Sequence, residues 1–290
     1  GRKTHMKTKD DVLIIGAGLA GLCCALRLQN EGVSYKLLEG SSSIGGRIKT
    51  DEVDGFLLDR GFQILLSAYP EAREILDYDL LELKAFLPGA RVRHDGKFHE
   101  LTDPWRRPDK ALQTMLSPVG TISDKFKMLL LHQGLRASEG VEASNPTTME
   151  ALRRFGFSES MITEFFRPFF SGIFLEPDLD THVRMFDFVF KMLSAGDNVL
   201  PAQGMQAIPN QIASKLNAEN IKLHHNVAGI DGSTVLLSTG ESITGRVVVI
   251  ATDEPHARKL LRKEPAQLFR SQTCIYLSAD KAPTDDPILF

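Results

Sequence analysis

The short apolar run Val12-Leu13-Ile14-Ile15 passes directly into Gly16-Ala17-Gly18-Leu19-Ala20-Gly21, a G-x-G-x-x-G. A run of this kind between Asp11 and a glycine reads as a buried parallel strand. Leu19 to Asn30 has helical character, with small Ala20 and Ala25 assigned to the strand-facing side, and Gly32 ends the helix. Tyr35 to Leu38 then forms a second strand that stops at Glu39. Strand, glycine turn, helix, strand and acid in this order specify a Rossmann-type βαβ unit, and so an α/β fold. Each glycine has its own task. Gly16 allows the tight turn, Gly18 leaves room for a pyrophosphate against the backbone, and Gly21 lets helix and strand approach closely. Leu19 and Ala20 open the helix, whose free N–H groups and positive dipole end favour phosphate. Glu39 is placed to accept hydrogen bonds from ribose hydroxyls, and its charge disfavours a 2′-phosphate. A glycine-rich turn of an unrelated α/β protein is the bland alternative.

Glu39 leads into a second glycine-rich loop, Gly40-Ser-Ser-Ser-Ile-Gly45-Gly46-Arg47. Such a loop can lie against the pyrophosphate, with Arg47 supplying charge-assisted hydrogen bonds. The alternative for Arg47 is a solvated surface arginine. G-x-G-x-x-G, Glu39 and Gly45-Gly46-Arg47 together resemble the superfamily of flavin-containing amine oxidases, phytoene desaturases and protoporphyrinogen oxidases. Phe56-Leu-Leu-Asp59-Arg60-Gly61 is similar to that family's strand and turn after the double glycine. Leu200-Pro201-Ala-Gln-Gly204-Met205 to Pro209 resembles the loop and helix that return the chain to the nucleotide domain. A helix is expected over Gln206 to Leu216, and a strand over Ile221 to Val227. The resemblance implies FAD as cofactor, a backbone contact from Val227 to the adenine, and a strand at Val247–Ile250 ending at Ala251 near the flavin. Simple burial in a sheet is the alternative for Val227 and for 247–250.

The expected architecture is a discontinuous FAD-binding domain, 7–60 and 200–252, with an inserted α+β substrate domain, 61–199 and 253–290. Asp95-Gly96 reads as a hairpin turn within Phe86–Leu101. Lys110 to Leu193 is helical in pattern. Ser123 reads as the cap of a helix carrying Phe126, Leu129 and Leu130, and Thr148–Phe155, Ser158–Phe166 and Met185–Leu193 are further helices. Thr273–Leu277 and Ile288–Phe290 read as strands. The middle region is rich in phenylalanine, from Phe155 to Phe190. Core packing is the bland reading, a pocket wall for a large apolar substrate the functional one, and an exposed membrane-touching patch at Phe165–Phe170 a third. Trp105 is either part of a solvated loop or an interfacial anchor.

The composition is that of an ordinary globular protein, 42% hydrophobic and 24% charged, with a net charge of −3. That balance gives no basis for nucleic-acid binding. Cys23, Cys24 and Cys274 form no C-x-x-C, which argues against a redox-active dithiol and for a reducing compartment. His224 and His225 alternate on their expected strand and make a poor metal pair, and no metal-ligand spacing is present. Gly1–His5 read as a tag remnant. The cytoplasm is the default location, with peripheral membrane attachment, or an organelle after loss of a transit peptide, as alternatives. Family members run on to a further glycine-containing segment that closes over the flavin. Its absence makes this chain a fragment, or one completed by a second chain. The resemblance implies hydride removal from an isoprenoid-like or porphyrin-like substrate. A flavin amine oxidase and a non-catalytic flavin-binding subunit are the alternatives, and no catalytic residue follows from the sequence.

Overall fold

The computed structural model describes residues 12–139, 145–264, 270–282 and 284–290. Expectations that fall on residues 1–11 lie outside these. The first elements are β1 (Val12–Ile15), α1 (Leu19–Asn30), β2 (Tyr35–Leu38), β3 (Thr50–Val53) and β4 (Phe56–Asp59). Next come β5 (Leu65–Leu66), α2 (Pro70–Ile75), β6 (Lys84–Ala85), β7 (Ala90–His94) and β8 (Lys97–Leu101). Helices α3 (Ala111–Leu116), α4 (Ile122–His132), α5 (Thr148–Phe155), α6 (Glu159–Met161), α7 (Arg167–Phe174) and α8 (Val183–Ala195) follow. The chain continues with β9 (Asn198–Leu200), α9 (Ala207–Ser214), β10 (Ile221–Lys222), β11 (Val227–Asp231), β12 (Thr234–Leu237), β13 (Ser242–Thr244), β14 (Val247–Ile250) and α10 (Glu254–Leu260). The chain divides into two compact units. One comprises Gly1–Gln63, Ile75–Glu82 and Pro201–Phe269, the other Ile64–Glu74, Leu83–Leu200 and Arg270–Phe290.

The first unit is built on a parallel sheet of order β10-β2-β1-β14. Its centre is buried on both faces, so β1 has no polar residue and all four of its side chains are buried. Leu13, Ile15 and Leu38 pack with Val235, Leu237 and Leu260, so the antiparallel sheet β11-β12-β13 shares this core. Helix α1 buries Gly21, Leu22 and Ala25. Ala20 is exposed, contrary to its expected place on the strand-facing side. Gly21 and Ala25 are four residues apart and share a face, whereas Ala20 is turned about 100° away from Gly21.

The expected strand over Ile221–Val227 is two strands. His224 takes a left-handed turn, φ +57°, which separates β10 from β11 and removes any alternation of His224 and His225.

The second unit holds a helical core in which Phe157, Phe166, Phe170, Phe174 and Phe186 are buried. Reciprocal capping boxes start α4 (Thr121 with Asp124) and α5 (Thr147 with Glu150). Thr121, not Ser123, therefore caps α4, and Phe126 is exposed. Ser158 caps α6, and a π-helical turn at Ile162–Phe166 joins it to α7. Asp95 and Gly96 both have positive φ, +47° and +77°, as a two-residue turn between β7 and β8 requires. Residues 273–277 form no strand, and at the end of the chain Leu289 makes a single bridge to Ala90. Among the described residues no strand runs beside 273–277, and an apolar run alone does not make a strand.

Candidate functional site

The carboxyl ends of β2, β1 and β14 meet at one edge of the parallel sheet, where open α/β sheets bind ligands. The end of β1 is tied to both neighbours: Gly16 N–H donates to Leu38 C=O at 2.8 Å, and Ala251 N–H to Ile15 C=O at 2.9 Å. Gly16 turns with φ +99°, and a Cβ there would lie 3.1 Å from the Ala251 oxygen. A Cβ on Gly21 would lie 1.8 Å from the Gly16 oxygen, so the helix–turn contact tolerates only glycine. Gly18 is different. Its φ is −74°, which any residue adopts, and a Cβ would meet no atom within 4 Å. The space beside it is open, and no side chain caps the α1 N-terminus that Leu19 and Ala20 begin.

The second glycine loop lies on the first. Gly45 N–H donates to Ala17 C=O at 2.9 Å, and a Cβ on Gly46 would come within 3.3 Å of Gly18 Cα. Gly45 is buried with φ +110°, and its own Cβ would lie 2.6 Å from the Ile48 oxygen. Arg47 is exposed, and its guanidinium makes no hydrogen bond or ion pair among the described residues. It lies close enough to Asp253 to act on it. Burial raises the Asp253 carboxyl, but His256 and the Arg47 charge outweigh this and hold it below the ordinary aspartate value.

Glu39 joins the loops. One carboxylate oxygen accepts from Ala17 N–H and the other from Ser41 N–H, both at 2.9 Å. Its backbone N–H donates to Lys222 C=O at 2.9 Å, and its C=O accepts from His225 N–H at 2.8 Å. Next to it, a Cβ on Gly40 would lie 3.2 Å from Asn226 Oδ1, so the loop leading to Val227 is packed against the loop leading from Glu39. Val227 opens β11 opposite Leu237, just before a register shift. The structure thus gathers Gly16, Gly18, Leu19, Ala20, Gly21, Glu39, Gly40, Gly45, Gly46, Arg47, Val227 and Ala251 within one unit, around the ends of three parallel strands.

A supporting network was not apparent in the sequence. Thr50 Oγ1 donates to Asp59 Oδ1 at 2.6 Å, Met205 N–H donates to the same oxygen at 2.9 Å, and Gln206 N–H donates to Thr50 Oγ1 at 3.0 Å. Gln206 Nε2 reaches Ile44 C=O at 3.1 Å. These bonds lock the β3–β4 hairpin and the 201–206 turn to the second glycine loop.

The second unit contains a cavity of about 300 Å³, walled by Phe165, Phe169, Phe170, Phe190, Leu193 and Met128 among others. Phe166 and Phe170 are fully buried, so the Phe165–Phe170 run forms core and cavity wall, not an exposed patch. Among the described residues no cluster of His, Cys, Asp or Glu could hold a metal ion, and no helix is long and apolar enough to cross a membrane. Burial pushes the Cys23 and Cys24 thiols up from the ordinary cysteine value.

The profile of the family described as flavin-containing amine oxidoreductase matches residues 19–282, nearly the whole chain. The chain belongs to that family. The family is described as flavin-containing, and the cofactor is FAD. Within the family it is similar to protoporphyrinogen oxidase 2 (chloroplastic/mitochondrial) of Arabidopsis thaliana, at 24% identity over 165 residues, 56% of this chain and 32% of that protein. It is also similar to 4,4'-diaponeurosporene oxygenase of Staphylococcus aureus, at 31% identity over 86 residues, 30% of this chain and 17% of that protein. A solved putrescine oxidase with bound putrescine has the same fold, with a TM-score of 0.61 and 20% identity over 87% of this chain and 60% of that one. The matched part of this chain spans a third or less of each of the two curated relatives. The residues fit the cofactor: a cleared backbone at Gly18, a helix N-terminus without a side-chain cap and an exposed arginine are what a pyrophosphate requires.

Proposed function

We propose that this chain holds the FAD of an oxidoreductase that removes hydride from an apolar substrate of isoprenoid-like or porphyrin-like character. The observation that carries the reading is the stacking of the second glycine loop on the first, beside the open space at Gly18. In this reading the N–H groups of Leu19 and Ala20 and the bare backbone of Gly18 and Gly46 face the pyrophosphate. Arg47 balances its charge. Glu39 orders both loops through Ala17 and Ser41, and its remaining lone pairs accept from the ribose hydroxyls. The backbone of Val227 reaches the adenine, and Ala251 borders the flavin end of the cradle. FAD, when bound, supplies the hydride acceptor. The protein supplies binding, orientation and exclusion of water.

The phenylalanine-lined cavity supports an apolar substrate, since such pockets bury most of a ligand against apolar walls and few polar groups. The names of the two curated relatives, a protoporphyrinogen oxidase and a diaponeurosporene oxygenase, point the same way. The test is anaerobic mixing of the full-length yellow protein with porphyrinogens, polyene precursors and primary amines. Bleaching of the oxidised-flavin absorbance by one of the first two classes is the expected result. Bleaching by amines alone would assign an amine substrate instead, and persistent colour with all three classes would exclude the proposed activity.

A further inference from the structure

Several polar groups on the wall of the second-unit cavity are satisfied within the protein. The Thr102 and Thr114 hydroxyls bond to each other at 3.0 Å. Arg106 donates to Gly196 C=O at 3.0 Å and pairs with Asp197. Lys125 donates to Met115 C=O at 3.1 Å and to Ser117 C=O.

Asp103 and His132 are different. His132 closes α4, and Met128 and Leu129, one turn earlier, stand on the same wall, so the imidazole shares an apolar face of the helix. Its Nε2 lies 3.6 Å from Asp103 Oδ2, too far for a hydrogen bond, and the ring makes no other polar contact among the described residues. Asp103 is fixed by its own turn. Its Oδ1 accepts from Trp105 N–H at 2.9 Å, and its C=O accepts from Arg107 N–H at 2.8 Å. Its Oδ2 is left facing the imidazole. The Asp103 side chain is 18% exposed and that of His132 25%, so a molecule in the cavity can reach both.

A carboxylate facing Nε2 favours the tautomer with its proton there. The pair then offers one donor and one acceptor 3.6 Å apart. A hydroxyl answers both at once, because its oxygen accepts from Nε2–H while its hydrogen goes to Oδ2. An ether oxygen accepts but has no hydrogen for the carboxylate. A ligand carboxylate meets Asp103 as a like charge. An ammonium has no acceptor for the imidazole N–H and loses its hydration in an apolar cavity. The wall does not offset that loss: with a neutral His132, Lys125 balances Asp103, and Arg106 has Asp197.

We propose that Asp103 and His132 form a hydroxyl-recognition site, and that the cavity takes an apolar alcohol or phenol whose hydroxyl seats between them. This rests on the reading of the cavity as the substrate site and narrows it to hydroxyl-bearing molecules.

The test is equilibrium dialysis of the full-length protein against three probes built on one ring system, 2-naphthol, 2-methoxynaphthalene and 2-naphthylmethylammonium. The wild type is expected to bind 2-naphthol about tenfold more tightly than 2-methoxynaphthalene, the worth of about one buried hydrogen bond, and the ammonium probe no better than the ether. Asp103→Asn keeps an oxygen for Trp105 N–H but puts an NH2 where the second acceptor stood, and His132→Leu removes the donor. Each should lower the preference for naphthol while leaving 2-methoxynaphthalene binding intact, which also shows that the variant has folded. The two substitutions lie on different elements, so either serves if the other does not fold. Equal affinities of the wild type for naphthol and its methyl ether, a preference undiminished by either substitution, or tightest binding of the ammonium probe would each overturn the proposal. The measurement needs no turnover. A naphthol preference in a protein whose flavin no candidate bleaches would leave this site standing and remove only the proposed activity.

Discussion

Gly18 and Gly21 lie three residues apart, and an added methyl group would meet opposite surroundings at the two. At Gly21 it would sit 1.8 Å from a backbone oxygen, so Gly21→Ala must push α1 away from the turn after β1. The expected cost is about 1–3 kcal/mol of folding stability, read from urea denaturation. At Gly18 there is open space and an ordinary φ of −74°, so Gly18→Ala should fold with nearly wild-type stability. It should nonetheless lose FAD affinity, by about tenfold or more, because the methyl occupies the cradle itself. A Gly18→Ala variant that binds FAD normally would move the pyrophosphate elsewhere. The tight packing at Gly21 and the open backbone at Gly18 were legible because backbone chemistry at a turn is local. The second duty of Glu39, holding Ala17 and Ser41, and the Thr50–Asp59–Met205–Gln206 network were not. The network joins residues up to 156 positions apart, and no periodicity or motif encodes such a pairing.

Asp124 connects elements as well as capping one. Its carboxylate accepts from the Thr121 backbone and hydroxyl at the start of α4, and from the Ser158 backbone and hydroxyl at the start of α6. Burial raises this carboxyl, but the hydrogen bonds from Ser158 and Thr121 outweigh it, and the value lies below that of an ordinary aspartate. A depressed folded value stabilises the protein above the unfolded value near 3.8, and the contribution is lost as pH falls through the folded value. Asp124→Ala should therefore cost about 2–3 kcal/mol near neutral pH, through the cap and the donors left unpaired. The gap from wild type should narrow in denaturation curves taken at about pH 3 or below. A gap that stays constant with pH would show that the charged form is not what α4 and α6 share.

The elements themselves were legible to different depths. The helix over Thr148–Phe155 follows from its apolar spacing and the glycine after it, and the structure has the same bounds. For α4 the sequence holds two hydroxyl residues close together, and Thr121 is the cap because Asp124 stands three residues on to complete the box. The π-helical turn at 162–166 is invisible to a 3.6-residue pattern. The apolar run at 273–277 shows the converse limit, since a strand exists only where another strand offers a ladder.

At the scale of the whole molecule, two units carry two kinds of chemistry. One is a parallel sheet with glycine turns at its carboxyl edge, where the proposed dinucleotide site lies, and the other is a helical body with an apolar cavity. The fold of the first was legible from its opening residues, because strand, glycine turn, helix and second strand follow one another directly in the chain. The second was legible only as phenylalanine content, since core and cavity wall have the same composition and differ only in three-dimensional placement. The account as a whole depends on the cradle. Its most direct test is the visible spectrum of the full-length protein after incubation with FAD and removal of unbound cofactor by gel filtration. Oxidised-flavin absorbance that travels with the protein at about one FAD per chain, and is weakened by Gly18→Ala, is the predicted result. Protein that emerges colourless, with no measurable FAD affinity, would contradict it.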